Sequence, residues 1–270
     1  MPFTVSHTIV ALPFRRTPIP AAALAVGSMA PDAVLFVPAL PPYGVTHSAL
    51  GALTVSLPVA VVALVVWTFG LRWAWTAIQP RAVHDRLPPA WDDPSSSWRA
   101  FVARTPAGRV GDLALTLGTL IVGVYSHIAW DSFTHAHGWS VARMPFLRGD
   151  LIGHPLYDWI QNACSFGGMV VLAIAFALWF RRTPPVPHGR EVSPHAARRI
   201  RITLLVVLVV VTAVGASPLL LIGAGPTGVL GWAAILAIRA AAVLLVGTAI
   251  VLGVREVVRA REVVRAHERV

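Results

Sequence analysis

Residues Leu113–His137 read LALTLGTLIVGVYSHIAWDSFTHAH, an uncharged apolar run that ends in three histidines and an aspartate. A helix that crosses a bilayer needs about 20 mostly apolar residues, and this run approaches that length. His127 and Asp131 are four apart at its end, so both project from one helix face, one turn apart. His135 and His137 follow in FTHAHG, where Gly138 fits a helix stop. Ionisable groups beside hydrocarbon are costly and tend to have a task. An i,i+4 imidazole and carboxylate can chelate one ion without distorting the backbone, and the carboxylate can also bridge two ions or orient a neighbouring imidazole. The stretch therefore predicts a membrane helix with a metal-binding end.

Composition agrees with the first half of that reading. Of 270 residues, 56% are hydrophobic and 13% charged, against roughly 25% charged in soluble domains. The net charge of +10 comes from arginine alone, because there is no lysine. In a multi-pass protein such residues report topology first, so nucleic acid is not an expected partner. The single cysteine, Cys164, excludes an internal disulfide and a Cys-rich zinc site; a metal would be held by His, Asp or Glu. The N-terminus MPFTVSHTIVALPFRR has neither a basic leader nor a small-residue cleavage site, so no cleaved signal peptide is expected.

Five segments are long and apolar enough to span, at about 49–69, 113–130, 160–180, 202–222 and 229–254. The N-terminal apolar stretches are shorter, split by Arg15, Arg16, Pro18 and Pro20, and predict a broken helix or helical hairpin. The expected fold is all-α: a polytopic membrane helix bundle of about five transmembrane helices plus that N-terminal element. Residues 1–182 form the motif-bearing membrane domain, with a linker at 70–112 holding one short helix. A basic linker at 183–201, a two-helix hairpin at 202–254 and a charged tail at 255–270 complete the chain. The tail repeats REVVRA and is expected to extend the last helix.

Arginine orients the spans. Six arginines fall in 70–112, six in 181–201 and five in 255–270, but only Arg143 and Arg148 in 131–159 and none in 31–47. The arginine-rich segments are expected in the cytoplasm, the C-terminus among them, with 31–47 and 131–159 on the external side. On that external side gather Asp32 in SMAPD, His47 in THSALG, His127, Asp131, His135, His137, and the second H-x-x-x-D pair, His154 with Asp158. His7 joins them if the N-terminal hairpin bends back. His84, His188, His195 and His267 fall in the arginine-rich linkers or tail and are read as ordinary imidazoles. Arg239 lies inside an apolar span, neither of the last two spans contains an acidic residue, and it is expected to snorkel or to pair with the N-terminal region.

The segments MPFTVSHTIVALPFRR, VGSMAPD, THSALG, HIAWDSFTH and PLYDWIQNACSFGG resemble a bacterial membrane family, number 4184 of the domain-of-unknown-function series, over roughly residues 1–182. More distantly, the order of ligand types is similar to membrane-bound metal-dependent hydrolases and to the zinc-dependent phospholipase C and P1-nuclease group. That likeness implies ligands at His7, Asp32, His47, His127 with Asp131, then His135 or His137, and His154 with Asp158. Two departures stand out: the group uses the amine of a processed N-terminal tryptophan where this chain begins Met-Pro, and its last carboxylate is Glu where this chain has Asp158.

The expected function is a membrane-bound hydrolase of a phosphoester or phospholipid, using water activated by a divalent metal, zinc in one to three copies. Asp32 is expected as a ligand or as the general base, with Arg143 and Arg148 able to clamp a phosphate. Membrane lipid is the expected partner, and the bacterial inner membrane the expected location. The competing expectations are a non-catalytic scaffold with a structural metal and, behind it, a transporter. No H-E-x-x-H motif occurs, and lysine-dependent phosphatase motifs are impossible without lysine.

Overall fold

A computed structural model of the chain describes residues 4–189, 192–221 and 226–267. Among them the structure is helical apart from one two-stranded hairpin, Asp150–Leu151 against His154–Pro155. Five helices are long and apolar enough to cross a membrane: Ala49–Ala77, Pro106–Thr134, Leu156–Arg182, Pro194–Leu219 and Gly231–Val254. The protein is an all-α, multi-pass membrane bundle. Before the first span stand a 3-10 helix, Thr4–Phe14, and a short α-helix, Ala21–Met29, so the N-terminal region is a broken helical pair.

Each helix is longer than its apolar core. Thr105 caps Pro106–Thr134 by accepting a hydrogen bond from the Gly108 N–H at 3.1 Å, and Pro106 occupies the first turn. The span Ala49–Ala77 widens to π-helical geometry over Ala52–Ser56. Pro58, two residues further on, has no N–H to return to the Thr54 carbonyl, which removes one rung of the α ladder there. The linker 70–112 is more helical than its composition indicates, with Arg81–His84, Pro89–Trp91 and Ser96–Val102 all wound. The last helix continues through the REVVRA repeat to His267.

The chain divides into two compact units. One comprises Met1–Val65 and Val102–Arg182, the other Val66–Phe101 and Thr183–Val270. In the first, Ala21–Met29 lies against Pro106–Thr134 around a core of Ala23, Ala30, Ala52, Ala60, Leu120 and Val124. Small residues set the spacing. A Cβ on Gly27 would stand 2.5 Å from the Leu120 carbonyl oxygen, and one on Gly123 would stand 2.6 Å from the Leu24 carbonyl oxygen. The two backbones are therefore in contact, as at small-residue interfaces between membrane helices. In the second unit Trp73, Ala74, Ala77, Ile78 and Leu252 form the core, with Ile200 and Leu204 packed on it.

Candidate metal centre

The helix contact at Gly27 and Gly123 carries the chemistry one turn further. It brings the Ser28 carbonyl within 2.6 Å of His127 Nδ1. A carbonyl only accepts, so Nδ1 carries a proton, and Nε2 of the neutral ring presents a bare lone pair. His47 is held the same way: its Nδ1 lies 3.1 Å from the Tyr43 carbonyl and 3.0 Å from Thr46 Oγ1. The two bare Nε2 atoms then face each other at 3.2 Å. Asp131 Oδ2 completes a triangle, 3.2 Å from His127 Nε2 and 3.5 Å from His47 Nε2. Asp32 Oδ1 stands 3.7 Å from both imidazole nitrogens, buried and without a hydrogen-bond partner.

Lone pairs and carboxylate oxygens crowded at these separations repel one another unless positive charge lies among them. A tetrahedral ion bonded at 2.0–2.1 Å spaces its ligands by about 3.3 Å. The triangle has that size. His127 and Asp32 are 0% and 2% exposed, so bulk solvent does little to offset this repulsion. Asp32, His47, His127 and Asp131 are the residues that could hold a metal here.

The surrounding shell orients these groups. Thr4 Oγ1 donates to Asp32 Oδ2 at 2.7 Å, and the Tyr43 hydroxyl donates to Asp131 Oδ2 at 2.8 Å. Burial first, then the Asp131 and Asp32 carboxylates, push the Tyr43 phenol well above its ordinary pKa, so it remains a donor. Tyr43 also stacks on His47 with ring centroids 3.6 Å apart. His7 stacks on His127 at 4.0 Å and points Nε2 at Asp131 Oδ1, 3.5 Å away. His135 accepts from the Gln161 side-chain amide at 3.0 Å and lies 3.6 Å from Asp131 Oδ2; burial pulls its pKa below the usual imidazole value.

Two cavities adjoin the cluster. One of about 20 Å³ touches His7, Asp32, Asp131 and His135, room for about one water molecule. The other, of about 450 Å³, is walled by Ile9, Val10, Trp130 and Val171, and shares His7 with the first.

Six of the expected ligand residues thus converge: His7, Asp32, His47, His127, Asp131 and His135. His137 is exposed and outside the cluster. His154 and Asp158 pair with each other at 3.7 Å and are 64% and 38% exposed. They do not share a helix face, because His154 sits on the hairpin and the helix begins at Leu156. Pro155 explains this, since it disfavours helical backbone at the residue before it. Arg143 lies over the Trp139 ring at 4.3 Å, and both Arg143 and Arg148 are exposed. Arg239 has its guanidinium 5.8 Å from the Trp232 ring centroid. Thr4 and Tyr43 are functional candidates that motif reading passes over. Tyr43 had a signal: it precedes His47 by four residues, the spacing of a helical face.

Comparison with known proteins adds the family. No curated protein and no solved structure matches the chain. The family model of the Domain of unknown function (DUF4184) matches residues 1–254, which takes in the converging residues and all five spans. The chain belongs to the DUF4184 family.

Proposed function

We propose that the protein is a membrane-bound, metal-dependent hydrolase of phosphoesters, with phospholipid as the expected substrate class. One observation carries the reading: the triangle of His47 Nε2, His127 Nε2 and Asp131 Oδ2, with edges of 3.2, 3.2 and 3.5 Å. These three would hold the cation, zinc by its imidazole and carboxylate donor set. When bound, such an ion lowers the pKa of its water to about 7 and polarises a phosphoryl oxygen.

The chain's own groups support the rest. Thr4 occupies Asp32 Oδ2 and leaves Oδ1 as an acceptor beside the water-sized cavity, the arrangement a general base needs. Tyr43 fixes the Asp131 carboxylate by its hydrogen bond. His7 borders both cavities, so an ester linkage can lie at the polar end while an acyl chain fills the apolar one. The arginine distribution supports a cytoplasmic C-terminus and an externally facing site in a bacterial inner membrane. A second reading, a non-catalytic protein with a structural metal, is favoured by the depth of burial and by the fourth donor. Four protein ligands close a shell that catalytic sites leave open.

Asp32→Asn separates the two. As a general base, Asp32 can be lost with the metal retained and turnover down about 10²- to 10⁴-fold. As a fourth structural ligand, its loss weakens metal binding, and neither protein turns over an ester. Metal content and hydrolysis of phospholipid and soluble phosphoesters, with and without chelator, read both outcomes.

A further inference from the structure

A second cluster of the same donor types lies wholly in the other unit, where the histidines read as ordinary ones. His84 ends the short helix Arg81–His84, Asp92 follows the turn Pro89–Trp91, and His188 comes from the linker after the third span. The Val186 N–H donates to the Asp85 carbonyl at 2.6 Å, which brings linker and loop together.

The ring nitrogens then meet carboxylates on every side. His84 is fully buried, with Nδ1 3.2 Å from Asp85 Oδ1 and Nε2 3.1 Å from Asp92 Oδ1. His188 Nδ1 stands 2.7 Å from the Val186 carbonyl, which only accepts, so Nδ1 carries a proton and Nε2 of the neutral ring is bare. That bare nitrogen faces Asp92 Oδ2 at 3.0 Å; both atoms are sealed from solvent, and neither has a hydrogen-bond partner. Protonating both imidazoles would put like charges face to face across rings stacked at 4.4 Å, which leaves a single shared proton or a shared cation to offset the carboxylates. One cation between His84 Nε2, His188 Nε2 and Asp92 satisfies these atoms, while Asp85 Oδ1 accepts from the far ring nitrogen of His84, Nδ1. Ligand atoms of His84, Asp85 and His188 already lie within 4.8 Å of one another.

We propose that His84, Asp92 and His188, with Asp85 beside them, form a second divalent-cation site that fastens the linker 183–189 to the loop 81–92. Two imidazoles and a carboxylate suit zinc or a neighbouring first-row metal rather than calcium or magnesium. The site is a clasp: it closes a loop of nearly a hundred residues, which the chain alone does only against its own entropy. It shares no residue with the membrane-end cluster, so the two assignments stand or fall separately.

The test uses the full-length protein in detergent, stripped with chelator and titrated with zinc. His188→Ala and Asp92→Asn should each lose one equivalent of bound zinc relative to wild type and keep any ester turnover. His127→Ala should retain that equivalent. In His127→Ala, zinc should also slow hydrogen exchange in residues 81–92 and 183–189. Unchanged stoichiometry in both His188→Ala and Asp92→Asn would overturn the proposal. So would exchange in these segments that is indifferent to zinc; a proton-bridged histidine pair would then account for the cluster.

Discussion

Replacing His127 with alanine should strip the membrane-end site of bound metal and abolish the proposed ester turnover. His127 supplies two edges of the ligand triangle and is the centre to which the others are referred: His47 at 3.2 Å, Asp131 at 3.2 Å, and the His7 ring stacked above it. Removing a group that merely orients a ligand costs about 10- to 100-fold in metal affinity; removal of the ligand itself should exceed about 100-fold. Without a cation, Asp32 and Asp131 remain as buried carboxylates with less compensation, so the variant should also melt earlier. His127→Asn separates the two effects. Its amide nitrogen takes the place of Nδ1 and can still donate to the Ser28 carbonyl, so it should fold closer to wild type while failing to retain metal. Metal analysis after gel filtration, together with thermal unfolding in detergent, reads the difference.

The second large effect comes from a residue with no side chain. Gly123→Val introduces a Cβ 2.6 Å from the Leu24 carbonyl oxygen and 2.9 Å from the Ser28 nitrogen, both backbone atoms that cannot turn aside. The helices must separate, at a cost of about 1–3 kcal/mol or more for overpacking. Ser28 is the residue whose carbonyl fixes the His127 tautomer, so the same shift breaks the 2.6 Å hydrogen bond and frees the ring. Loss of metal is expected even though no ligand has changed. Gly118→Ala, on the same helix with open space around its Cβ direction, should leave both melting temperature and metal content unaltered.

The spans were legible because the bilayer imposes a length and an apolarity that any window of sequence displays. Their ends were not. Pro106–Thr134 begins seven residues before the apolar run at 113, since hydropathy marks the lipid-facing stretch while the Thr105 cap and Pro106 mark the helix. The metal-end cluster was legible in part for a related reason. Ionisable residues are rare enough near hydrocarbon that His47, His127 and Asp131 announce themselves, and His127 with Asp131 share a helix face by spacing alone. Tyr43 and Thr4 act through hydroxyls, which carry no comparable signal. His84 and His188 lie about a hundred positions apart in arginine-rich segments, where an imidazole has many unremarkable uses; only folding brings them to one carboxylate. The pair His154 and Asp158 went the other way, because Pro155 outweighed a spacing that suggested a helix.

The most direct measurement is anomalous diffraction at the zinc edge from crystals of the zinc-loaded protein. A peak inside the triangle of His47 Nε2, His127 Nε2 and Asp131 Oδ2, at about 2.0–2.2 Å from each atom, is the expected result. Metal-loaded crystals without density there, with His47 and His127 instead hydrogen-bonded through a shared proton, would contradict the assignment of these residues as a metal centre.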